Sequence, residues 1–236
     1  MRLPKTVDEA LKIDADTGTN FWSEAVKKEM SKAQVAYEEV EGVTPDEVRA
    51  NKVPELRSFQ EISCHIVFDV KMDFTRKARF VAGGHTTETP VGICYSSVVS
   101  RDSVRIAFLV AALNDLDILS TDIGNAYLNA PCREKIWFEA GIECGQSCKG
   151  KVMKLVRALY GLKSSGASWR HMFKTYIEKK LGFKPCVMDG DLYYRRQKKP
   201  DGSEYYELLL VYVDDVLACS HDPKSIMESI GTEYCP

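Results

Sequence analysis

The segment Tyr212-Val213-Asp214-Asp215 constrains this chain more than any other. It ends one apolar run, Leu208-Leu209-Leu210-Val211, and leads directly into another, Val216-Leu217-Ala218-Cys219. Two strand-like runs joined by two residues read as a tight hairpin, yet such turns favour Asn-Gly or Asp-Gly over a pair of acids. Adjacent carboxylates repel each other, and a divalent cation is the usual compensation. The plainer alternative is a solvated turn that is merely acidic, and four residues alone do not decide between the two.

A second acid upstream bears on that choice. Leu116-Asp117-Ile118-Leu119-Ser120-Thr121-Asp122 alternates apolar and polar side chains as a half-buried strand does, with Asp122 at its end. A helix-compatible turn, 123–128, follows. Asp122 would also serve as a helix N-cap, and capping does not exclude metal binding. An acid at a strand terminus and an acid pair on a hairpin tip offer the few protein oxygens that Mg²⁺ takes, water and phosphate filling its other positions. Two such ions roughly 4 Å apart activate a 3′-hydroxyl and stabilise a leaving pyrophosphate oxygen.

The net charge of −2 is uninformative until it is mapped. From Cys144 to Ile177 there is no Asp or Glu, while Lys149, Lys151, Lys154, Arg157, Lys163, Arg170 and Lys174 all fall there. The first sixty-one residues hold thirteen acids against nine Lys and Arg. A single-sign basic stretch in a mildly acidic chain is an electrostatic footprint for phosphate, centred on Lys149, Lys151, Lys154 and Arg157; a solvated helix face usually mixes signs. No apolar run is long enough to span a membrane, and the start, Met1-Arg2-Leu3-Pro4-Lys5 followed by polar sequence, is not a secretory signal. The eight cysteines lack Cys-x-x-Cys spacing, which argues against a zinc site and for reduced thiols.

The elements follow from periodicity. Asn20–Val40 reads as one helix with Trp22, Val26, Met30, Ala33 and Tyr37 on its apolar stripe. Residues 62–69 and 78–82 read as strands joined by a charged turn over 72–76. Val104–Leu113 is apolar nearly all round, so a buried helix capped by Asp102 or Ser103 is expected. Trp169, Met172, Phe173, Tyr176, Ile177 and Leu181 mark a core-facing helix that Gly182 stops. Strands over 192–195 and 205–213 pair around Lys199-Pro200-Asp201-Gly202. Helices on one side of an antiparallel sheet give an α+β fold.

With these pieces in order, the chain resembles the reverse transcriptase of copia-type retrotransposons. The resemblance is carried by Lys77-Ala78-Arg79-Phe80-Val81-Ala82-Gly83-Gly84, Tyr95-Ser96-Ser97-Val98-Val99 and Asp122 through Asn129. Ala158-Leu159-Tyr160-Gly161-Leu162-Lys163, Trp169, Leu181-Gly182-Phe183 and the acidic hairpin extend it, and it also reaches Trp22 and Glu29. It implies right-hand polymerase fingers and palm: residues 1–58 an N-terminal helical region, 59–115 fingers, and 116–236 palm, with 131–163 partly fingers. It implies Asp122, Asp214 and Asp215 as catalytic carboxylates and metal ligands for two Mg²⁺, with Mn²⁺ as a substitute. Lys77, Arg79, Tyr127, Tyr160, Gly161, Lys163 and Tyr212 would lie on the substrate side: Lys77 and Arg79 at the triphosphate, Gly161 where backbone approaches the template-primer, Tyr127 as a gate against a 2′-hydroxyl.

Partners would be a primed RNA or DNA template, deoxynucleoside triphosphates and other Pol segments, in a cytoplasmic virus-like particle or the nucleus and not secreted. The chain departs from the family at Lys163-Ser164-Ser165-Gly166-Ala167-Ser168, where Lys-Gln-Ala-Pro-Arg is usual, and at Gly83, where lysine is usual. Only twenty-one residues follow Asp215, so a thumb and an RNase H domain are expected to be lacking. Two rival readings are a truncated, catalytically inactive nucleic-acid-binding remnant and a metal-dependent nuclease, which has no special use for the basic stretch or Tyr127.

Overall fold

Both apolar runs flanking the acid pair become neighbouring strands of one sheet in the computed structural model, which describes residues 3–88 and 95–234. Met1, Arg2, Cys94 and Cys235 lie outside the described residues. In chain order the elements are helices α1 (Val7–Thr17) and α2 (Phe21–Ala33), strand β1 (Tyr37–Glu39), helix α3 (Pro45–Arg49), and strands β2 (Gln60–Glu61), β3 (Cys64–Val70) and β4 (Arg76–Ala82). Helix α4 (Arg101–Leu113), strand β5 (Asp117–Asp122), the single turn α5 (Ala126–Asn129), and strands β6 (Ile136–Glu139) and β7 (Val152–Leu155) come next. Helix α6 (Ser165–Lys179), strands β8 (Lys184–Pro185), β9 (Leu192–Lys198), β10 (Glu204–Tyr212) and β11 (Asp215–Ser220), and helix α7 (Pro223–Tyr234) complete the chain. The fold is α+β, in two units: Met1–Cys94 with Ala130–Ser168, and Tyr95–Asn129 with Trp169–Pro236.

The first unit holds a four-stranded sheet, β1-β7-β6-β2, and the separate hairpin β3-β4. Buried Asp14 accepts from the backbone N–H groups of Trp22 and Ser23, satisfying two donors that the start of α2 would otherwise leave open. Helix α2 turns Trp22, Val26, Met30 and Ala33 inward, and Trp22 meets Phe68 of β3 edge-on at 5.4 Å. Glu29 on the same helix accepts from the Phe80 N–H of β4 at 2.9 Å. The helix ends at Ala33, short of the Val40 that periodicity suggests. Tyr37 belongs to β1, opposite Leu155 of β7, with its ring edge-on to Phe138 at 5.5 Å. Aromatic side chains fit a pleated, half-buried surface, and pairing with β7 overrides the helical spacing.

Gly161 shows why this unit is intolerant at one point. Its φ of +93° is left-handed, and an added Cβ would stand 2.0 Å from the Ala82 carbonyl oxygen; a Cβ on Gly84 would stand 2.3 Å from the Gly161 carbonyl oxygen. The approach is fixed by the Ala82 N–H donating to the Tyr160 carbonyl at 2.8 Å, within a parallel bridge between Val81 and Tyr160. The close neighbour that demands glycine is therefore the chain's own β4 backbone.

The second unit is built on the antiparallel sheet β5-β11-β10-β9-β8. Helix α4 starts one residue after Ser100, whose Oγ accepts from the Ser103 N–H, so the cap lies just before Asp102 and Ser103. The expectation that α4 is buried nearly all round is corrected. Ser103, Ala107 and Ala111 face inward, the two alanines with Val99, Leu208, Leu210 and Cys219, while Ile106, Phe108, Leu109 and Leu113 are exposed. Small residues at i, i+4 and i+8 let the helix approach the sheet closely, so its large side chains occupy the outer face. On α6, Trp169, Phe173 and Ile177 are buried, and beyond its end Gly182 adopts φ +74°. The β9–β10 turn closes through Lys199 N–H to the Ser203 carbonyl at 2.9 Å, with Gly202 at φ +86°.

The Gly161→Ala substitution tests the backbone contact. Left-handed strain and the clash with Ala82 together predict a loss of about 2–4 kcal/mol in urea unfolding. A loss under about 0.5 kcal/mol, the scale of an ordinary surface change, contradicts the reading.

Candidate functional site

Strand β11 runs between β5 and β10, and its register brings the acids of two distant segments together. Asp215 is the cross-strand partner of Asp122 on one side and of Tyr212 on the other. Directly opposed residues project on the same face of a sheet, so the Asp122 and Asp215 carboxylates share one face. Asp214 sits in the turn, and its carbonyl accepts from the Ile123 N–H at 2.8 Å, tying the acid pair to the residue that follows Asp122. Because α5 begins only at Ala126, Asp122 is a strand terminus and not its cap.

The turn itself is strained. Val213 has φ +59°, a conformation that costs an L-residue about 1–2 kcal/mol and suits a β-branched side chain worst. Glycine would adopt it freely. The strain is met by a hydrogen bond of 2.7 Å from the indole N–H of Trp169 on α6 to the Val213 carbonyl. Sequence reading placed Trp169 in a core stripe, which it occupies, but nothing in helical spacing signals where a buried N–H points.

Tyr127 on α5 is half-buried. Burial, and secondly the Asp214 charge, raise its phenol above the ordinary tyrosine range, so the ring and the hairpin acid are within electrostatic reach. Tyr212 is exposed. Among the described residues no group of three His, Cys, Asp or Glu side chains is disposed to hold a metal ion by itself. The residues that could hold a cation are the two carboxylates the register sets on one face, Asp122 and Asp215, and Mg²⁺ takes few protein oxygens.

The other sequence-predicted residues lie in the first unit. Lys77 and Arg79 alternate with buried Ala78, Phe80 and Ala82 along β4, so both occupy the outer face of the hairpin, where Asp69 stands 4.0 Å from Arg79. Lys163 donates its ammonium to the Thr87 carbonyl, Tyr160 is part of the bridge to Val81, and Gly161 is required by Ala82. The basic stretch is less one-sided in space than along the chain. Lys151 pairs with Glu39 at 2.9 Å and Lys154 with Glu38 at 3.6 Å, because β1 lies alongside β7. Lys149 and Arg157 are exposed.

A family model described as reverse transcriptase (RNA-dependent DNA polymerase) matches residues 51–232. The truncated transposon Ty1-A Gag-Pol polyprotein and the transposon Ty1-LR2 Gag-Pol polyprotein, both of Saccharomyces cerevisiae (strain ATCC 204508 / S288c), are each 28% identical to this chain over 179 residues, 73% of its length. The match covers 14% of the first relative and 10% of the second.

The proximity of Tyr127 and Asp214 has a direct check. In Asp214→Asn the Tyr127 phenol, followed by NMR titration of its labelled ring carbon, falls toward the ordinary tyrosine value but stays above it. Asp214 supplies the smaller share of the shift and burial the larger. An unchanged titration would separate the two side chains.

Proposed function

Because the chain belongs to the reverse transcriptase (RNA-dependent DNA polymerase) family, of the copia type that includes Ty1 Gag-Pol, we propose that it adds deoxynucleotides to a primer 3′-hydroxyl on an RNA or DNA template. The observation that carries this reading is the β5–β11 register, which sets Asp122 opposite Asp215 while Ile123 holds the Asp214 carbonyl. Asp122 and Asp214 are the principal metal ligands and Asp215 the lesser one. Two Mg²⁺ ions, or Mn²⁺ in their place, supply Lewis acidity for in-line phosphoryl transfer when bound. The chain's own work is positioning and charge, since phosphoryl transfer asks little covalent chemistry of the protein.

Residues 59–115 are assigned to fingers and 116–236 to palm, with 1–58 an N-terminal helical region and 131–163 partly fingers. The clustering of Ala130–Ser168 with Met1–Cys94 supports the last assignment, while α4, inside the 59–115 segment, clusters with the palm strands β10 and β11. On the outer face of β4, Lys77 and Arg79 suit a triphosphate, Arg through a bidentate grip. Tyr127, half-buried within electrostatic reach of Asp214, is suited to exclude a 2′-hydroxyl by clash, a repulsive element set against ribonucleotides. Tyr160, Gly161, Lys163 and Tyr212 remain substrate-side assignments. The partners are primed template, deoxynucleoside triphosphates and further segments of a Pol polyprotein, in a cytoplasmic particle or the nucleus. No helix among the described residues is long and apolar enough to cross a membrane.

Primer extension on an RNA template with Mg²⁺ tests the reading. Asp122→Asn and Asp214→Asn each remove one negative ligand and few packing contacts, so nucleotide addition falls about 100-fold or more while the circular dichroism spectrum and template binding persist. Extension at the unsubstituted rate in either variant would sink the carboxylate assignment.

Neutralising Lys149, Lys151, Lys154 and Arg157 together tests the basic stretch. Phosphate contacts carry no base information, so affinity should fall alike for all sequences. The slope of log affinity against log salt should flatten by about 2 to 3, somewhat less than four phosphate contacts would give, because Glu38 and Glu39 already engage two of the lysines. An unchanged slope marks the stretch as ordinary solvated surface.

A further inference from the structure

Asp214 is the one member of the acid group that lies in a turn, with no strand ladder on its own residue to aim it. Two peptide groups flank its Cα. The carbonyl of the following peptide, its own, accepts from the Ile123 N–H at 2.8 Å, and the carbonyl of the preceding peptide, that of Val213, accepts from the Trp169 indole at 2.7 Å. With both peptide planes held, the Cα–Cβ vector of Asp214 has one direction. The first anchor is backbone and comes with the β5–β11 register. The second is a single side-chain N–H, and Val213 at φ +59° is the residue it restrains.

The indole is itself held. Trp169 is buried, stacks on Phe173 at 5.0 Å with 10° between the planes, and receives Tyr234 of α7 edge-on at 5.3 Å. Tyr234 also meets Phe173 and Tyr176 edge-on, and the Tyr176 hydroxyl donates to the Ser229 carbonyl of α7. Helix α7 thus fixes the aromatic stack on α6, and the stack presents one donor to the turn. Leucine or phenylalanine would pack in its place, smaller and without that donor, and a buried indole N–H is costly without an acceptor.

We propose that Trp169 is a positioning residue for the acidic hairpin: its indole N–H holds Val213 left-handed and thereby aims the Asp214 carboxylate at the metal. The metal half of the statement rests on the polymerase reading; the conformational half does not. Groups that orient a metal ligand from outside typically change affinity or activity by 10–100-fold when removed.

Two variants separate positioning from packing. Trp169→Phe keeps the stack and removes the donor, and a benzothienyl isostere of Trp169, with sulfur in place of N–H, keeps the full ring shape should phenylalanine fail to fold. The first readout needs no metal: the carbonyl-carbon resonance of Val213 and the amide resonance of Asp214 in isotope-labelled protein. Both are expected to move in either folded variant, while resonances of β9 and of α7 outside the stack stay in place. The second is Mn²⁺ affinity by electron paramagnetic resonance, expected to fall about tenfold in the isostere and to be lost in Asp214→Asn. The third is primer extension, where kcat falls with little change in nucleotide KM. Unmoved hairpin resonances in the isostere overturn the proposal whatever the metal does. Moved resonances with Mn²⁺ affinity retained confine Trp169 to the turn and overturn its role toward the ion. Moved resonances in a protein whose Mn²⁺ binding never depended on Asp214 leave the hydrogen-bond clamp standing and bring down the metal-site reading instead.

Discussion

Strand β11 is the piece on which the rest of the second unit depends, because it is hydrogen-bonded on both edges and each ladder fixes an acid. A slip of one residue against β5 would turn Asp215 to the opposite face from Asp122 and expose the apolar side chains now inside. The far end of the strand is pinned against β10. Ser220 donates its hydroxyl to buried Glu207 at 2.6 Å, Glu207 pairs with Arg195 of β9 at 2.7 Å, and the Arg195 guanidinium lies 4.5 Å from the Phe183 ring. A buried ion pair is poor evidence for stability, but its partners can be met in one alignment only. Polar groups at one end of the strand thus fix the β10–β11 register that sets Tyr212 opposite Asp215 at the other.

Much of this was legible because it is local. The apolar runs around Asp214, the alternation ending at Asp122, the α6 stripe and the Lys199–Gly202 turn each depend on residues close in sequence, and strands, helix and turn stand where the pattern puts them. The sequence marks Asp122 as a strand end and Asp214-Asp215 as a hairpin tip, whereas the turn is Val213-Asp214 and Asp215 opens β11. The pairing of Asp122 with Asp215 required the ladder that unites them.

What escaped the sequence depends on distant partners. Tyr37 keeps helical spacing with Ala33, yet β7 claims it for a sheet. The stretch from Cys144 to Ile177 carries no acid of its own, but β1 brings Glu38 and Glu39 to Lys154 and Lys151. The apolar run of α4 looked like a core helix, and the alanines that do its packing were the least conspicuous residues in it. The sequence shows a glycine at 161 but not that the Ala82 carbonyl oxygen stands where its Cβ would be.

The serines that depart from the family pattern before Trp169 have an implication for how this sequence can change. Ser164 gives both its N–H and its hydroxyl to Glu134, Ser165 donates its hydroxyl to the Leu159 carbonyl, and Ser168 donates to the Pro131 carbonyl, all three side chains being buried. Each hydroxyl is a buried donor bonded to its acceptor, so replacing a serine by a residue without a hydroxyl removes that bond. Ser164 and Glu134 answer each other's polar groups through two hydrogen bonds, so substitutions at these two positions are expected to couple and not to add.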